Sequence, residues 1–359
     1  MVCSNPRGRA SQTALPIIER LGSISAPDRA SGLNGGIRAL TRDEYGPVEN
    51  LAVREVPEPE IRSHQILIRV RAASLNRSDW EALVARPGYV RMSGVGLRRP
   101  RSPLLGTDLA GVVEAVGSDV TGFREGDEVF GDIMYHGGRG AFAEYVAVPE
   151  SAPLAIKPGD LSFEEAAALP QAGSLAVRGL QGVGEGDRIL INGAGGGAGT
   201  FAIQIAKAHG AHVTAVDNAH KQDLMLGLGA DRVIDYTRER YSRRHGPFDL
   251  ILAFMAGRGV LSNRRGLARH GRYLLVGGTV RELFAVAAIG RGLLRLGSRH
   301  LGVLVARPNR EDLRTLADRV VAGEMSPVIS GRYSLEEAPE AYRRLGQGTL
   351  LGKAVITLG

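Results

Sequence analysis

Apolar positions recur in short runs from Ile37 onward, and their spacing changes character near Leu161. In the first stretch, "IRALTRDEYGPVENLAVREVPEPEIRSHQILIRVRAASLN", Gly and Pro cut the runs. Within it "QILIRVRAAS" alternates with the period of two that a half-buried strand requires. "DLAGVVEAVGSDVTGFREGDEVFGD" adds two β-type runs, with turns at Gly117-Ser118-Asp119 and Gly126-Asp127. "GAFAEYVAVPESAPLAIKP" adds two more short strands. Closely spaced strands with turn signals predict a compact, barrel-like β domain over residues 37–160.

Beyond Leu161 the period lengthens. "SFEEAAALPQAGSLAVRGL" is helical, and Ser162 with Glu165 has the spacing of a capping box. Strands and helices then alternate. "DRILING" predicts a strand and "AGTFAIQIAKAHG" a helix closed by Gly210. "AHVTAVD", "HKQDLMLGLGA" and "DRVIDY" predict strand, helix and strand. "FDLILAFMAG" and "GRYLLVGG" are apolar enough for central strands buried on both faces. The pattern predicts a doubly wound α/β domain over 161–310. Residues 311–359 read as helix, strand, helix, strand and return to the first domain.

Composition narrows the class. The 359 residues suffice for about two domains of roughly 150 residues. No apolar run reaches the ~18 residues of a membrane span; in "LFAVAAIGRGLLRL" two arginines interrupt. Cys3 is the one cysteine, which excludes a disulfide framework and any cysteine-based zinc site and suits the reducing cytoplasm. Net charge is +7, carried almost wholly by arginine, because the lysines number four: Lys157, Lys207, Lys221 and Lys353. No nucleic-acid-binding signature accompanies the scattered charge, so it reads as a solvated surface, or as a cleft that attracts a phosphate-bearing small molecule. Residues 1–36 lack periodicity and read as a flexible tail.

The glycines at 193, 195, 196, 197 and 199 fall between a strand and a helix. Such a loop aims backbone N–H groups and the positive helix end at an anion, and missing Cβ atoms let a pyrophosphate approach. Asp217 ends the next strand, about 20 residues on, where a ribose-binding carboxylate belongs. Gly193, Gly195, Gly196, Gly197, Ala198 and Gly199 are therefore the candidate dinucleotide loop. A glycine-rich turn without ligand would destabilise the chain for no return, and a β domain placed ahead of the loop argues against a methyltransferase.

The stretches "NRSDW", "LLGTDLAGVVEAVGSDVTGFREGDEVFG", "AFAEYVAVP", "AAALPQAGSLA", "DRILINGAGGGAGTFAIQIAKAHGAHVTAVD", "LGADRVIDY", "GRYLLVGG" and "GKAVITL" resemble the medium-chain dehydrogenase/reductase superfamily, in its zinc-free quinone oxidoreductase-like branch. The resemblance covers Ile37 to Gly359. It implies a GroES-like β-barrel catalytic domain built from both chain ends, an inserted Rossmann domain, an active site between them and a homodimer. Zinc-dependent members carry Cys, His and Cys where this chain has Asn76, Thr107 and Gln171–Ala172, and the four-cysteine zinc lobe has no counterpart. His136 reads as a loop residue rather than a ligand.

A metal-free site stabilises a developing enolate or phenolate by hydrogen bonds while a nicotinamide delivers hydride. The resemblance places Asn76 beside nicotinamide and substrate, where its amide can donate; the alternative is a cap for the helix that follows. Asp79 reads as the structural member at that helix start. Trp80 and Tyr89 are candidates for the cleft wall, Tyr89 as a proton donor, and either is alternatively packed. Asp217 favours NAD(H), whereas Lys221 and Tyr236 match places that hold a 2′-phosphate in relatives, and Asn218 can donate as well; the balance favours NADP(H). Gly277 completes the cofactor set. The expected activity is NAD(P)H-dependent reduction of a quinone or α,β-unsaturated carbonyl. Alternatives are a zinc-independent alcohol or aldehyde dehydrogenase and a non-catalytic NADPH-binding redox sensor. A short-chain reductase is excluded, since no Tyr-x-x-x-Lys occurs.

Overall fold

The computed structural model describes residues 36–359 except 93–94, 136–139, 240, 242–244, 257–258, 292–297 and 306. The expectations for residues 1–35 and for His136 lie outside the described residues.

β1 (Ile37–Thr41) and β2 (Ala52–Val56) pair antiparallel as a small ribbon. β3 (Gln65–Leu75) runs on into α1 (Arg77–Val84). β4 (Asp108–Val116), β5 (Glu128–Asp132), β6 (Tyr145–Pro149) and β7 (Leu154–Ile156) follow. Then come α2 (Phe163–Ala168) and α3 (Pro170–Gly179). The single helical run read from sequence breaks between them, because Pro170 has no N–H to continue the first helix and instead starts the second. Ser162 caps α2 as expected: the Glu165 amide donates to its hydroxyl at 3.2 Å, and the Ser162 amide donates to the Glu165 carboxylate at 3.0 Å.

The alternating region folds as β8 (Arg188–Asn192), α4 (Gly197–Ala208), β9 (His212–Asp217), α5 (Gln222–Gly227), β10 (Arg232–Asp235), β11 (Phe248–Ala253), α6 (Val260–Gly266), β12 (Leu267–Leu275), α7 (Val280–Arg291) and β13 (His300–Val303). The six strands form one parallel sheet in the order β10-β9-β8-β11-β12-β13. The order reverses between β8 and β11, which opens a crevice at their carboxyl ends.

α8 (Arg310–Val321) packs Leu313 and Leu316 into the core beside α3. β14 (Ile329–Tyr333), α9 (Ala338–Gln347) and β15 (Lys353–Thr357) end the chain. β15 pairs antiparallel with Ala72–Leu75 of β3, while β6 pairs with Gln65–Arg69 of the same strand. The second sheet is thus β14-β15-β3-β4-β5-β7 with β6 alongside. Ala72, Ala110, Phe130 and Val355 of this sheet share one buried cluster with Ala166–Ala168 of α2 and the strands β8 and β9. Removing that apolar surface from water joins the two sheets through a common core.

Candidate active site

The glycine loop leaves β8 at the crevice. Gly193 has φ +84°, a left-handed conformation that costs glycine nothing. A Cβ on Gly199 would lie 2.3 Å from the Gly193 carbonyl oxygen, so only a bare backbone lets α4 start so close to the strand. A Cβ on Gly196 would meet only that same oxygen, at 3.4 Å. Gly196 is the N-cap of α4 and supplies no side-chain oxygen to its first turn, so the helix start opens on a cleft of about 1190 Å³. This is the bare cradle that an anionic bridge fits.

The cleft brings together most of the residues singled out from sequence. Asn76, Tyr89, Gly193, Gly196, Gly197, Ala198, Gly199, Asp217, Asn218, Lys221, Tyr236 and Gly277 all line it. Gly195 is turned away instead: its amide donates to Asp217 Oδ2 at 2.9 Å, and the stem of Lys221 packs over it. Asp217 Oδ1 accepts from the Asn218 amide at 2.8 Å and lies 3.4 Å from Lys221 Nζ. Both partners of that ion pair are buried. The acid at the end of β9 therefore faces the cleft already neutralised.

At the other wall, α1 carries Asn76 at its start. The Asp79 carboxylate accepts from the Asn76 amide at 2.9 Å, the helix-start role expected of it. Trp80 takes the packed alternative: it packs against Gly346 of α9, with Arg77 stacked 4.2 Å from its ring, outside the cleft. Position 80 falls on the face of α1 turned to α9, whereas Ser78 and Glu81 line the cleft. Glu81 does line the cleft, paired with Arg77 at 3.4 Å. Burial holds its carboxyl above the ordinary range, against the pull of Arg77. Burial first and Glu81 second hold the Tyr89 phenol above its usual value.

Sequence reasoning missed a buried polar network beneath Asn76. Lys353 Nζ donates to Asn76 Oδ1 at 2.5 Å and to the Leu75 carbonyl at 3.3 Å. It lies 3.7 Å from Asp108 Oδ2, and both side chains are fully buried. Asp108 Oδ2 also accepts from the Gln171 amide at 3.2 Å. Burial pushes the Asp108 carboxyl up to about 8, with Lys353 opposing and Asp132 adding to the rise. Burial likewise pushes the Lys353 ammonium down. The signal was present: one of four lysines stands in the otherwise apolar run "GKAVITL".

A GroES-like sheet and a parallel nucleotide-binding sheet sharing a cleft define a medium-chain dehydrogenase/reductase. Residues 62–158 match the family model of the alcohol dehydrogenase GroES-like domain, and residues 228–356 match one described as zinc-binding dehydrogenase. The chain is 34% identical to a 2-methylene-furan-3-one reductase of Solanum lycopersicum, over 96% of this chain and 86% of that one. It is 32% identical to a mitochondrial NAD(P)H oxidoreductase of Bos taurus, over 88% of each. The solved quinone oxidoreductase of Coxiella burnetii superposes with a TM-score of 0.79 at 29% identity, covering 90% of this chain and 99% of that one. The chain belongs to the medium-chain dehydrogenase/reductase superfamily, in its quinone oxidoreductase-like branch, and is an NAD(P)H-dependent oxidoreductase. Among the described residues, no helix is long and apolar enough to cross a membrane.

Proposed function

We propose that this protein reduces a quinone or an α,β-unsaturated carbonyl compound with NADP(H), without a catalytic metal. The observation that carries the reading is one cleft lined both by the bare start of α4 and by Asn76 and Tyr89. Gly193, Gly196, Gly197, Ala198 and Gly199 would hold the pyrophosphate through backbone amides. Asp217, Asn218, Lys221 and Tyr236 would face the adenosine ribose, and Gly277 the nicotinamide side. When bound, the cofactor supplies a hydride. Asn76 donates a hydrogen bond to the substrate oxygen as it gains charge, and Tyr89, kept protonated by its surroundings, supplies the proton. Asn76, Thr107 and Gln171 offer amides and a hydroxyl, a donor set that does not fit zinc.

Two features support NADP(H) over NAD(H). Lys221 offsets the Asp217 charge that would repel a 2′-phosphate, and the half-exposed Tyr236 donates its amide to the Asp217 carbonyl at 3.3 Å. The relatives named above carry reductase and NAD(P)H oxidoreductase names, which agrees with this direction of reaction. The reading extends to a cytoplasmic homodimer without nucleic-acid partners; the exposed Val280, Phe284 and Val305 suit a subunit contact. It also divides the chain into a catalytic unit, 37–160 with 311–359, and a cofactor unit, 161–310. The pairing of β15 with β3 supports that division, while α8 packs with the cofactor unit.

The test is an NADPH-oxidation screen over quinones, enones and aldehydes, with and without chelator. Turnover of quinones or enones that chelator leaves unchanged is expected. Turnover confined to aldehydes would overturn the reading in favour of an alcohol dehydrogenase, chelator-sensitive turnover would contradict the metal-free site, and cofactor binding without any turnover would favour a sensor.

A further inference from the structure

The glycine loop and Asn76 sit on different sheets, and one side chain bridges them. Gly352 pairs with Gly196 as an isolated parallel bridge, and its amide donates to the Gly195 carbonyl at 3.0 Å. The next residue, Lys353, sends its stem past Gly197, where an added Cβ would lie 2.8 Å from Lys353 Cδ. Its ammonium ends on Asn76 Oδ1. An ammonium only donates, so the amide must present its oxygen to Lys353. The amide nitrogen is thereby fixed as the donor end. It is buried and turned to the Asp108 carboxyl, whose rise it opposes. A cation on the amide oxygen also polarises the N–H bonds and strengthens them as donors.

We propose that Lys353 is a positioning residue of the reduction: it ties the glycine loop to Asn76 and fixes which end of the Asn76 amide is the donor. Lys353 acts through Asn76 and touches no reacting atom. Its kinetic consequence rests on the reductase reading above, whereas its effect on the Asn76 amide does not.

The experiment compares Lys353→Met, Lys353→Arg, Asn76→Ala and the double variant Lys353→Met/Asn76→Ala. Methionine keeps much of the stem beside Gly197, so NADPH affinity by fluorescence titration should change less than about threefold. Loss of one charge-assisted hydrogen bond should lower kcat about tenfold to a hundredfold. Lys353→Arg should recover most of it. In the Asn76→Ala background the lysine change should cost less than about threefold. Equal losses in both backgrounds, or Lys353→Met as active as the parent, would overturn the proposal. If Lys353→Met does not fold, Lys353→Met/Asp108→Asn, which also removes the charge of the acid nearest Lys353, is read in its place. A second measurement needs no acceptor. In protein labelled with 15N-asparagine, the Asn76 side-chain resonances should move in Lys353→Met and stay near parent values in Lys353→Arg. Unmoved resonances overturn the proposal, while a blank acceptor screen with moved resonances sinks only the reductase reading.

Discussion

Gly196 and Gly199 stand three residues apart in one loop, yet space treats them differently. A side chain at 196 extends toward the cleft, while one at 199 drives into the backbone of 193 and 194. Gly196→Val should therefore fold normally and weaken NADPH binding at least a hundredfold by fluorescence titration. Unchanged affinity would mean the loop holds no phosphate. Gly199→Ala should instead destabilise the fold by about 1–3 kcal/mol, read as a lowered melting temperature. At the adenosine end, Lys221→Ala leaves Asp217 uncompensated. About a tenfold loss of NADPH affinity is expected with a smaller loss for NADH, and equal losses would remove Lys221 from the phosphate site. Tyr89 is held above the ordinary tyrosine value, so it remains a neutral donor through neutral and mildly alkaline pH. The alkaline fall in kcat should begin only above about pH 10, and Tyr89→Phe should lower kcat across the whole plateau. A fall centred near pH 8 that survives in Tyr89→Phe would assign the proton to another group.

At the level of elements, the helix starts place the site. α1 begins immediately after β3, with Asp79 tied back to the Asn76 amide, so Asn76 is anchored at the junction of a strand and a helix. α1 also carries Glu81, whose carboxyl is raised in the folded protein by burial. A raised acid favours the folded state most when protonated. That contribution is complete below the ordinary carboxylate value near 4 and is lost as pH rises through the folded value. Glu81→Gln should accordingly gain stability relative to the parent between pH 4 and pH 7 in urea titrations. A gap that shrinks over that range would contradict the burial of the charge. α2 and α3 show how sequence and structure diverge in small ways. Ser162 and Glu165 are adjacent enough in sequence for their reciprocal bonds to be legible in it. The break at Pro170 was legible too, since proline cannot donate to the preceding turn, but helical periodicity on both sides masked it.

Over the whole molecule, β15 is the element on which most depends. It lies between β14 and β3 in the second sheet, buries Ala354, Val355 and Ile356, and delivers Lys353 to Asn76 across 277 positions of chain. Deleting residues 353–359 should leave β3 with an open edge and Asp108 without its cation, and abolish the cooperative melt. A truncated chain melting within about 5 °C of the parent would show the two sheets to be held otherwise.

What the sequence determined by itself is what short-range physics encodes. Apolar period separates the two sheet-forming regions, glycines between a strand and a helix mark the anion cradle, and Asn76 to Asp79 spacing marks a helix start. The tertiary structure alone decided the rest. It turned Gly195 inward to Asp217, paired Lys221 with that acid, moved Trp80 to α9, and set Lys353 beneath Asn76. Each of these depends on which strands become neighbours. A buried charge and its partner come together only when distant segments pair, and no local pattern of residues records that meeting.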